Sequence, residues 1–382
     1  MQNHFSSYRW RRYVPFLVFA TVVAIVQLYA IAIKDPHFIK NAIQTLSNTK
    51  NRGNETLGPL HVLLVSYART GSSFVGDLLQ SVPDTFYHFE PLHFISNPVL
   101  NSSFDDARVL LNKVFNCNVS SIKGYLPWIQ LHKEYMKLKR SLNYWKECSK
   151  KKKNLCFNAS FVDSTCRKHK TVIVKTIRLK LREASELFLT HPNLNLKIIY
   201  LMRDPRGSIN SRMKFPVSMW CKKDPMCSNP KYYCDSLAED MKVACGLLKD
   251  RPEDFLIIRY EDLALDPFGT TDRLVKFLGM PSMPRDVEIF LKTHTSVIGS
   301  VREKYRTQGV DYAYSTFRNS SITAMSWRQQ MSFKRVTQLQ NYCQTTLTGM
   351  GYYPYYTVSN LRSNVNFDKN NDDAIRSYCS AN

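Results

Sequence analysis

The chain reads as an α/β domain built on a central parallel sheet with helices on its faces. Two observations predict this. Five short apolar, β-branched runs, at 61–67, 85–89, 171–177, 197–202 and 255–260, are continuous rather than alternating, as strands buried on both faces must be. Helical patterns lie between them, at 72–81, 182–190, 205–214, 237–249 and 271–278, and such alternation is how parallel strands are connected. With 382 residues and 44% apolar content, the chain can bury a large core.

Before the first run stands a separate element. Residues 14–33 (VPFLVFATVVAIVQLYAIAI) carry no charge, and about 20 apolar residues span a bilayer as one helix. Arg9, Arg11 and Arg12 precede the stretch, while Lys34 and Asp35 offset each other after it. The positive-inside tendency then makes 1–13 a cytosolic tail, 14–33 a single signal-anchor helix and 34–59 a polar lumenal stem. A cleaved signal peptide is the alternative; it would have a shorter apolar core ending in small residues. All ten cysteines follow this stretch, as do five Asn-x-Ser/Thr sequons at Asn54, Asn101, Asn118, Asn158 and Asn319. Both features suit an oxidising lumen. The net charge of +22 calls for an anionic partner: nucleic acid, anionic membrane or acidic polysaccharide. A lumenal address argues against nucleic acid. No Cys-x-x-Cys occurs, so zinc is not expected, and disulfide pairing does not follow from sequence.

The folded domain is placed at 60–355, with 356–382 as a C-terminal tail. Residues 95–168 and 215–235 interrupt the alternation and read as insertions at the edge of one domain. A further helical pattern, 331–348, stops before Gly349.

Several segments can carry chemistry. After the first run comes SYARTGSSF. A helix N-terminus binds anions through its unpaired N–H groups, Gly71 allows close backbone approach, and Ser72 and Ser73 add hydroxyl donors. No Gly-Lys-Ser/Thr is present, so the positive charge precedes the glycine, at Arg69. An ordinary turn with Ser72 as N-cap is the alternative. In IIYLMRDPRGSINSR, Arg203 ends a strand, Pro205 opens a helix and Ser211 lies two turns in. Arg203 and Ser211 can converge on a second phosphate at the carboxyl edge of the sheet, or the segment is a solvated Arg/Asp cluster. Glu90, in YHFEPLH, ends a strand before a proline and is placed to act as a base; a surface glutamate is the alternative. Lys175 interrupts the apolar VIVKTIR, where a buried lysine needs an anionic partner unless it reaches solvent. IIRYED reads as a strand ending in surface charges. Lys150–Lys153 is either a guide for an anionic glycan or a solvated run.

Taken in order, ARTGSSFVG, FEPLH, VKTIR, LMRDPRGSINSR, RYEDLALDP, FLGMP and RNSSITAMSWR resemble the sulfotransferases that use 3′-phosphoadenosine 5′-phosphosulfate (PAPS). They are most similar to the Golgi carbohydrate 6-O-sulfotransferases acting on galactose, N-acetylgalactosamine and N-acetylglucosamine. The resemblance spans about 61–351 and implies a P-loop-like sulfotransferase fold. It implies that Arg69, Thr70, Gly71, Ser72, Ser73, Phe74 and Val75 form the 5′-phosphosulfate loop. Arg203, Asp204, Pro205, Arg206, Gly207, Ser208 and Ser211 would form the 3′-phosphate segment, with Arg203 and Ser211 the principal contacts. Tyr260 would lie near the adenine and Trp327 and Arg328 near the nucleotide. Glu90 matches the proposed base; Arg69 and Lys175 complete the catalytic set, Lys175 on the sulfonate or leaving oxygen. The resemblance further implies a glycan or proteoglycan acceptor, a Golgi membrane location as a type II protein, no metal, and allows a homodimer.

Two departures from cytosolic sulfotransferases matter. Where those carry Lys-Thr-Gly this chain has Arg69-Thr70-Gly71, and where they carry Lys-Thr-His it has Lys175-Thr176-Ile177. Isoleucine cannot move a proton, which leaves Glu90 as the available carboxylate. A Golgi glycosyltransferase is the rival class, but no Asp-x-Asp is present. A P-loop kinase would need Gly-Lys-Ser/Thr. A catalytically inactive glycan-binding relative is the third alternative, against which the intact Arg69, Glu90, Arg203 and Ser211 set argues.

Overall fold

Strands β1 (Leu60–Ser66), β2 (Thr85–Phe89), β3 (Thr171–Thr176), β4 (Asn195–Met202) and β5 (Phe255–Arg259) form one parallel sheet in the order β2-β3-β1-β4-β5. This computed structural model describes residues 58–95, 103–131, 140–151, 153–295, 316, 319–363 and 372–381, within a unit that begins at Gly58. The expected cytosolic tail, membrane span and nearly all of the stem lie outside those residues. Among the described residues, no helix is long and apolar enough to cross a membrane.

Continuous apolar runs form these strands because alternate residues serve two cores. On one face Leu63, Val65, Phe86, Val172, Val174, Ile198 and Tyr200 pack together. On the other, Val62, Leu64, Tyr87, Ile173, Ile199 and Leu201 pack with Val75, Leu78 and Leu79 of helix α1 (Ser72–Gln80). Val62, Leu63 and Leu64 are wholly buried, and each such side chain stabilises the fold by about 1.5–3 kcal/mol.

The strands agree with the sequence reading to within about two residues, while the inserts and helices differ more. Within the stretch 95–168, expected as an insertion at the domain edge, the described helix α2 (Phe104–Phe115) packs on a face of the sheet: its Leu111, Val114 and Phe115 belong to the first core. The helix expected at 237–249 starts earlier, as α5 (Pro230–Asp250) below, because Asn229 caps it and Pro230 takes its first turn. The pattern 331–348 breaks at Cys343 into Phe333–Tyr342 and Gln344–Gly349.

Helices that build the candidate site follow β4. They are α3 (Pro205–Arg212), α4 (Val217–Cys221), α5 (Pro230–Asp250), α6 (Tyr260–Leu265), α7 (Arg285–His294), α8 (Ser320–Met325) and α9 (Trp327–Gln330). All ten cysteines pair, as 117–166, 148–156, 221–227, 234–343 and 245–379. Two of these bridges tie α5 to the C-terminal region. Residues 356–382, expected as a tail, include the helices Val358–Arg362 and Asp372–Ala381, whose Leu361 and Ile375 are buried. The Cys245–Cys379 bridge closes a loop of sequence separation 134, and removing such a constraint costs about 2–5 kcal/mol. A Cys245→Ser/Cys379→Ser variant is therefore expected to lose about 2–5 kcal/mol of unfolding free energy and to unfold at a lower denaturant midpoint. An unchanged midpoint would mean that apolar packing alone holds the C-terminal helix.

From β1 the chain turns toward β2 and from β4 toward β5, in opposite directions. The crevice between the carboxyl ends of β1 and β4 is thus the topological switch point, where open α/β sheets bind ligands.

Candidate active site

The loop leaving β1 has two residues in the left-handed region, Arg69 (φ 67°) and Gly71 (φ 96°). Gly71 must be glycine for a second reason: a Cβ there would lie 2.4 Å from Tyr260 Cδ2. It is Gly71, not Ser72, that occupies the N-cap position, and no side chain caps α1. Ser72 is the first helical residue. The loop is held from below. Thr70 Oγ1 donates to the Tyr67 carbonyl at 2.8 Å. Arg212, buried and lying 3.8 Å over the Tyr233 ring, donates to the Ala68 carbonyl through Nε (3.1 Å) and Nη2 (3.0 Å).

The segment after β4 interlocks with this loop. Arg203 Nη1 donates to the Arg69 carbonyl at 3.0 Å, and Arg69 Nε donates to Ser211 Oγ at 3.1 Å. The Arg203 guanidinium sits 4.6 Å over the Tyr260 ring, with Nε 3.9 Å from Glu261 Oε1. Arg203 Nε is buried without a hydrogen-bond partner among the described residues. Arg69, Arg203 and Ser211 thus come together, from the loop after β1 and from the β4–α3 segment more than 130 residues away in sequence.

They open onto a cleft of about 390 Å³. Of the residues proposed from the sequence, Arg69, Gly71, Ser72, Ser73, Phe74, Arg203, Gly207, Ser211 and Tyr260 line it. So do residues the sequence did not single out, among them Asn210, Lys214, Phe215 and Val217 from α3, α4 and the turn between them, and His294, Ser320, Thr323 and Ser326 from α7, α8 and the turn after it. His294 stacks on Phe290 with ring centroids 3.9 Å apart. Ser320, Thr323 and Ser326 fall within the RNSSITAMSWR motif, while nothing in the sequence pointed to His294.

The remaining proposed nucleotide residues lie beneath the lining. Thr70, Val75, Asp204, Pro205 and Ser208 are buried. Arg206, fully buried, pairs with Asp204 at 2.7 Å and bonds Gln340 Oε1 and the Tyr353 carbonyl, both at 2.9 Å. Trp327 packs under Arg206, 4.8 Å from its guanidinium, and against Gly207. Arg328 donates to the carbonyls of Leu361, Asn360 and Ser363. These side chains brace the floor of the cleft and the C-terminal region.

Glu90 and Lys175 form a second cluster. Phe89 pairs with Lys175 across β2 and β3, and Lys175 with Leu64 of β1. Glu90 is buried and left-handed (φ 49°), a conformation that costs a non-glycine residue about 1–3 kcal/mol and collects at functional sites. Both Lys175 Nζ and Arg178 Nη1 donate to its carboxylate. Lys175 also lies 4.5 Å over the Phe89 ring. Burial lowers the Lys175 pKa and the Glu90 charge opposes that fall. Lys175 therefore is the buried lysine with an anionic partner, but that partner is Glu90. Arg178 was missed in the sequence, although it lies only three residues on in the same VKTIR segment. None of the three lines the cleft just described. Lys150 and Lys151 are exposed, with Lys151 3.4 Å from Glu147.

The charges of IIRYED are not on the surface. Arg259, Glu261 and Asp262 are buried, because the chain continues from β5 directly into α6 under the cleft. Glu261 accepts from the Asp204 N–H at 3.1 Å and from Tyr352 Oη at 2.7 Å. Desolvation, with the Asp204 charge second, raises its pKa to about 7. The folded state thus holds this proton where the unfolded chain has released it, so stability is present at acid pH and lost as pH rises through about 7. Denaturation midpoints between pH 5 and 8 should fall more steeply for the native chain than for Glu261→Gln, which has no proton to lose. Parallel pH profiles would refute the assignment.

A family profile described as the sulfotransferase domain matches residues 59–351. The chain is similar to carbohydrate sulfotransferase 4 of Mus musculus, 28% identical over 78% of this chain and 83% of that one. It is also similar to carbohydrate sulfotransferase 6 of Homo sapiens (28%, over 80% and 83%) and carbohydrate sulfotransferase 1 of Mus musculus (29%, over 76% and 79%). Among solved structures, a sulfotransferase domain from the curacin biosynthetic pathway has a TM-score of 0.43 at 17% identity, over 79% of this chain and 100% of that one.

Proposed function

The chain belongs to the sulfotransferase domain family, and from that membership we propose that it transfers a sulfuryl group from PAPS to a glycan. The acceptor atom is the 6-hydroxyl of galactose, N-acetylglucosamine or N-acetylgalactosamine in a glycan or proteoglycan chain. One observation carries the reading: Arg69, Ser211 and Arg203 converge beside the uncapped N-terminus of α1, at the switch point of the sheet. Two cations, a hydroxyl and helical N–H groups suit a ligand with phosphates at both ends. The buried, unbonded Arg203 Nε is a donor that such a ligand would satisfy.

In this reading, Arg69 and the first turn of α1 hold the 5′-phosphosulfate, while Arg203 and Ser211 hold the 3′-phosphate. The 6-hydroxyl oxygen forms a bond to sulfur as the bond from sulfur to the 5′-phosphate oxygen breaks. The electron pair stays on that oxygen, leaving adenosine 3′,5′-bisphosphate. Arg69 and the helix N–H groups stabilise the growing negative charge. The hydroxyl proton passes to Glu90. Lys175 and Arg178, which both donate to that carboxylate, hold it in position. A weak base suffices when bond formation to sulfur has already made the hydroxyl proton acidic. In the same reading Lys175, whose Nζ donates to Glu90 behind the cleft lining, is assigned to the sulfonate or leaving oxygen as charge develops during transfer.

The same reading places the chain in the Golgi membrane as a single-pass type II protein. Its supports are the uncharged stretch 14–33 and the complete pairing of the ten cysteines. Transfer from labelled PAPS to keratan, chondroitin and N-acetylglucosamine-terminated acceptors, with the product position mapped by mass spectrometry, tests the activity. Transfer from a UDP-sugar instead would favour the glycosyltransferase. Glycan binding without transfer from either donor would favour an inactive relative.

A further inference from the structure

The segment 213–223, MKFPVSMWCKK, exposes large apolar side chains on a rigid support. Met213 is 59% exposed, Phe215 68%, Met219 62% and Trp220 38%. Scattered exposed apolar residues are ordinary, but a group of them with a polar rim marks a binding surface. Here the rim is Lys214, Lys222 and Lys223, all exposed.

Ordinarily such a segment would fold its apolar side chains inward. This one is prevented from doing so. Within α4, Val217 and Cys221 stand four residues apart on one side and pack with Cys227 and Ala68. Met219 and Trp220 are left on the outer side. The Cys221–Cys227 bridge closes the segment, and Arg212 joins it to the phosphate loop by donating to the carbonyls of both Met226 and Ala68. The outward side chains are thus fixed relative to Arg69, one residue beyond Ala68. Phe215 and Val217 also line the cleft that holds Arg69 and Ser211. The exposed patch is therefore continuous with the cleft through Phe215, with Lys214 beside it.

We propose that this stapled segment is the acceptor platform, and that its ligand is an acidic glycan chain. The proposal rests on the cleft being the site of sulfuryl transfer. Aromatic and thioether surfaces cover the C–H faces of pyranose rings through dispersion and ring electrostatics. Lys222 and Lys223 meet sulfates or carboxylates on neighbouring sugars, while Lys214, whose Nζ donates to Gln330 Oε1 at 2.6 Å, sits at the junction with the cleft. Trp220 and Met219 grip the chain beyond the cleft, and Phe215 stands at the border, where the target sugar enters. A membrane surface is the competing occupant, since apolar and basic side chains also suit lipid headgroups.

The test uses the full chain and the variants Met219→Ser/Trp220→Ser and Lys222→Ala/Lys223→Ala. Binding is measured on immobilised chondroitin sulfate, on hyaluronan as a carboxylated but unsulfated chain, and on phosphatidylcholine/phosphatidylserine vesicles. Acceptor KM and the Kd of adenosine 3′,5′-bisphosphate are measured in parallel. The apolar pair should weaken glycan binding and raise acceptor KM by about tenfold, as loss of a buried aromatic anchor does, with nucleotide Kd within about twofold. The lysine pair should weaken binding to acidic chains and spare a neutral oligosaccharide acceptor. Loss on chondroitin sulfate alone would identify sulfate as the recognised group, and loss on both chains the carboxylate as well. If the +22 surface alone binds polyanions, the apolar pair changes nothing and the platform is refuted. It is also refuted if only vesicle binding falls. A native chain that transfers to no acceptor overturns the sulfuryl-transfer reading, while the direct binding arm still decides the platform.

Discussion

Glu90→Gln is expected to lower kcat for sulfuryl transfer by about three orders of magnitude, within the span that general acid–base catalysis contributes, while the Kd of adenosine 3′,5′-bisphosphate stays within about twofold. Glutamine keeps the shape and the hydrogen-bonding oxygen but accepts no proton. Nucleotide affinity is spared because neither Glu90 nor its partners line the cleft. A rival role must be separated from the base. Glu90 is also the counter-ion of Lys175, which is 1% exposed, and the ammonium form of that lysine depends on the carboxylate. With glutamine at 90, burial would drive the Lys175 pKa further down, so the amine would be charged only on the acid side. If Glu90 merely supports Lys175, activity of the variant should recover as pH falls. If Glu90 takes the proton, activity should stay low from pH 5 to 9. Near-native turnover at neutral pH would remove both roles.

How far the sequence carried this picture depends on the kind of side chain involved. The strands were legible because a parallel sheet buried on both faces favours apolar residues at successive positions, so Val62 to Val65 or Ile198 to Met202 stand out as runs. Arg69 and Arg203 were legible for the converse reason: a charge directly after such a run must lie at the strand's carboxyl end. What the sequence could not show is which of several charges near one strand end faces the cleft. Arg203 and Arg206 are three residues apart in one motif. Yet Arg203 lies at the start of the crevice and Arg206 in the first turn of α3, turned inward onto Asp204. The same holds for Trp327 and Arg328, whose neighbours, Arg206 and the carbonyls of 360–363, come from other parts of the chain. Glu261 looked like a surface charge because nothing local records that Tyr352 and the Asp204 N–H will close over it. Lys214, Phe215 and His294 belong to no phosphate-binding pattern. They reach the cleft only through the packing of α3, α4 and α7, so their part in it is a tertiary fact.

Arg203→Ala should weaken adenosine 3′,5′-bisphosphate about a hundredfold, the scale of a lost charge-assisted pair of hydrogen bonds. Binding of the 2′,5′ isomer, which lacks the 3′-phosphate, should change far less. The comparison is needed because Arg203 has two tasks in the geometry. Its Nη1 braces the Arg69 carbonyl, so truncation also loosens the 5′-phosphosulfate loop, and that part of the loss falls on every nucleotide alike. Only the excess loss for the 3′,5′ isomer reports a contact with the 3′-phosphate. Equal losses would leave Arg203 as a brace of the loop. Arg203→Lys divides the roles in a second way. Lysine supplies the charge but not the planar fork, so it does not hold the Arg69 carbonyl and a phosphate in the same fixed geometry. It should recover part of the 3′-phosphate selectivity while leaving the general loss in place. The fold should tolerate the alanine. Arg203 holds down the Glu261 pKa; without it Glu261 binds its proton more tightly and no uncompensated buried carboxylate remains at neutral pH. Melting curves of the variant at pH 6 and pH 8 check this. A small loss at pH 6 and a larger one at pH 8 is the expected sign, and only then does the nucleotide affinity measure recognition rather than unfolding.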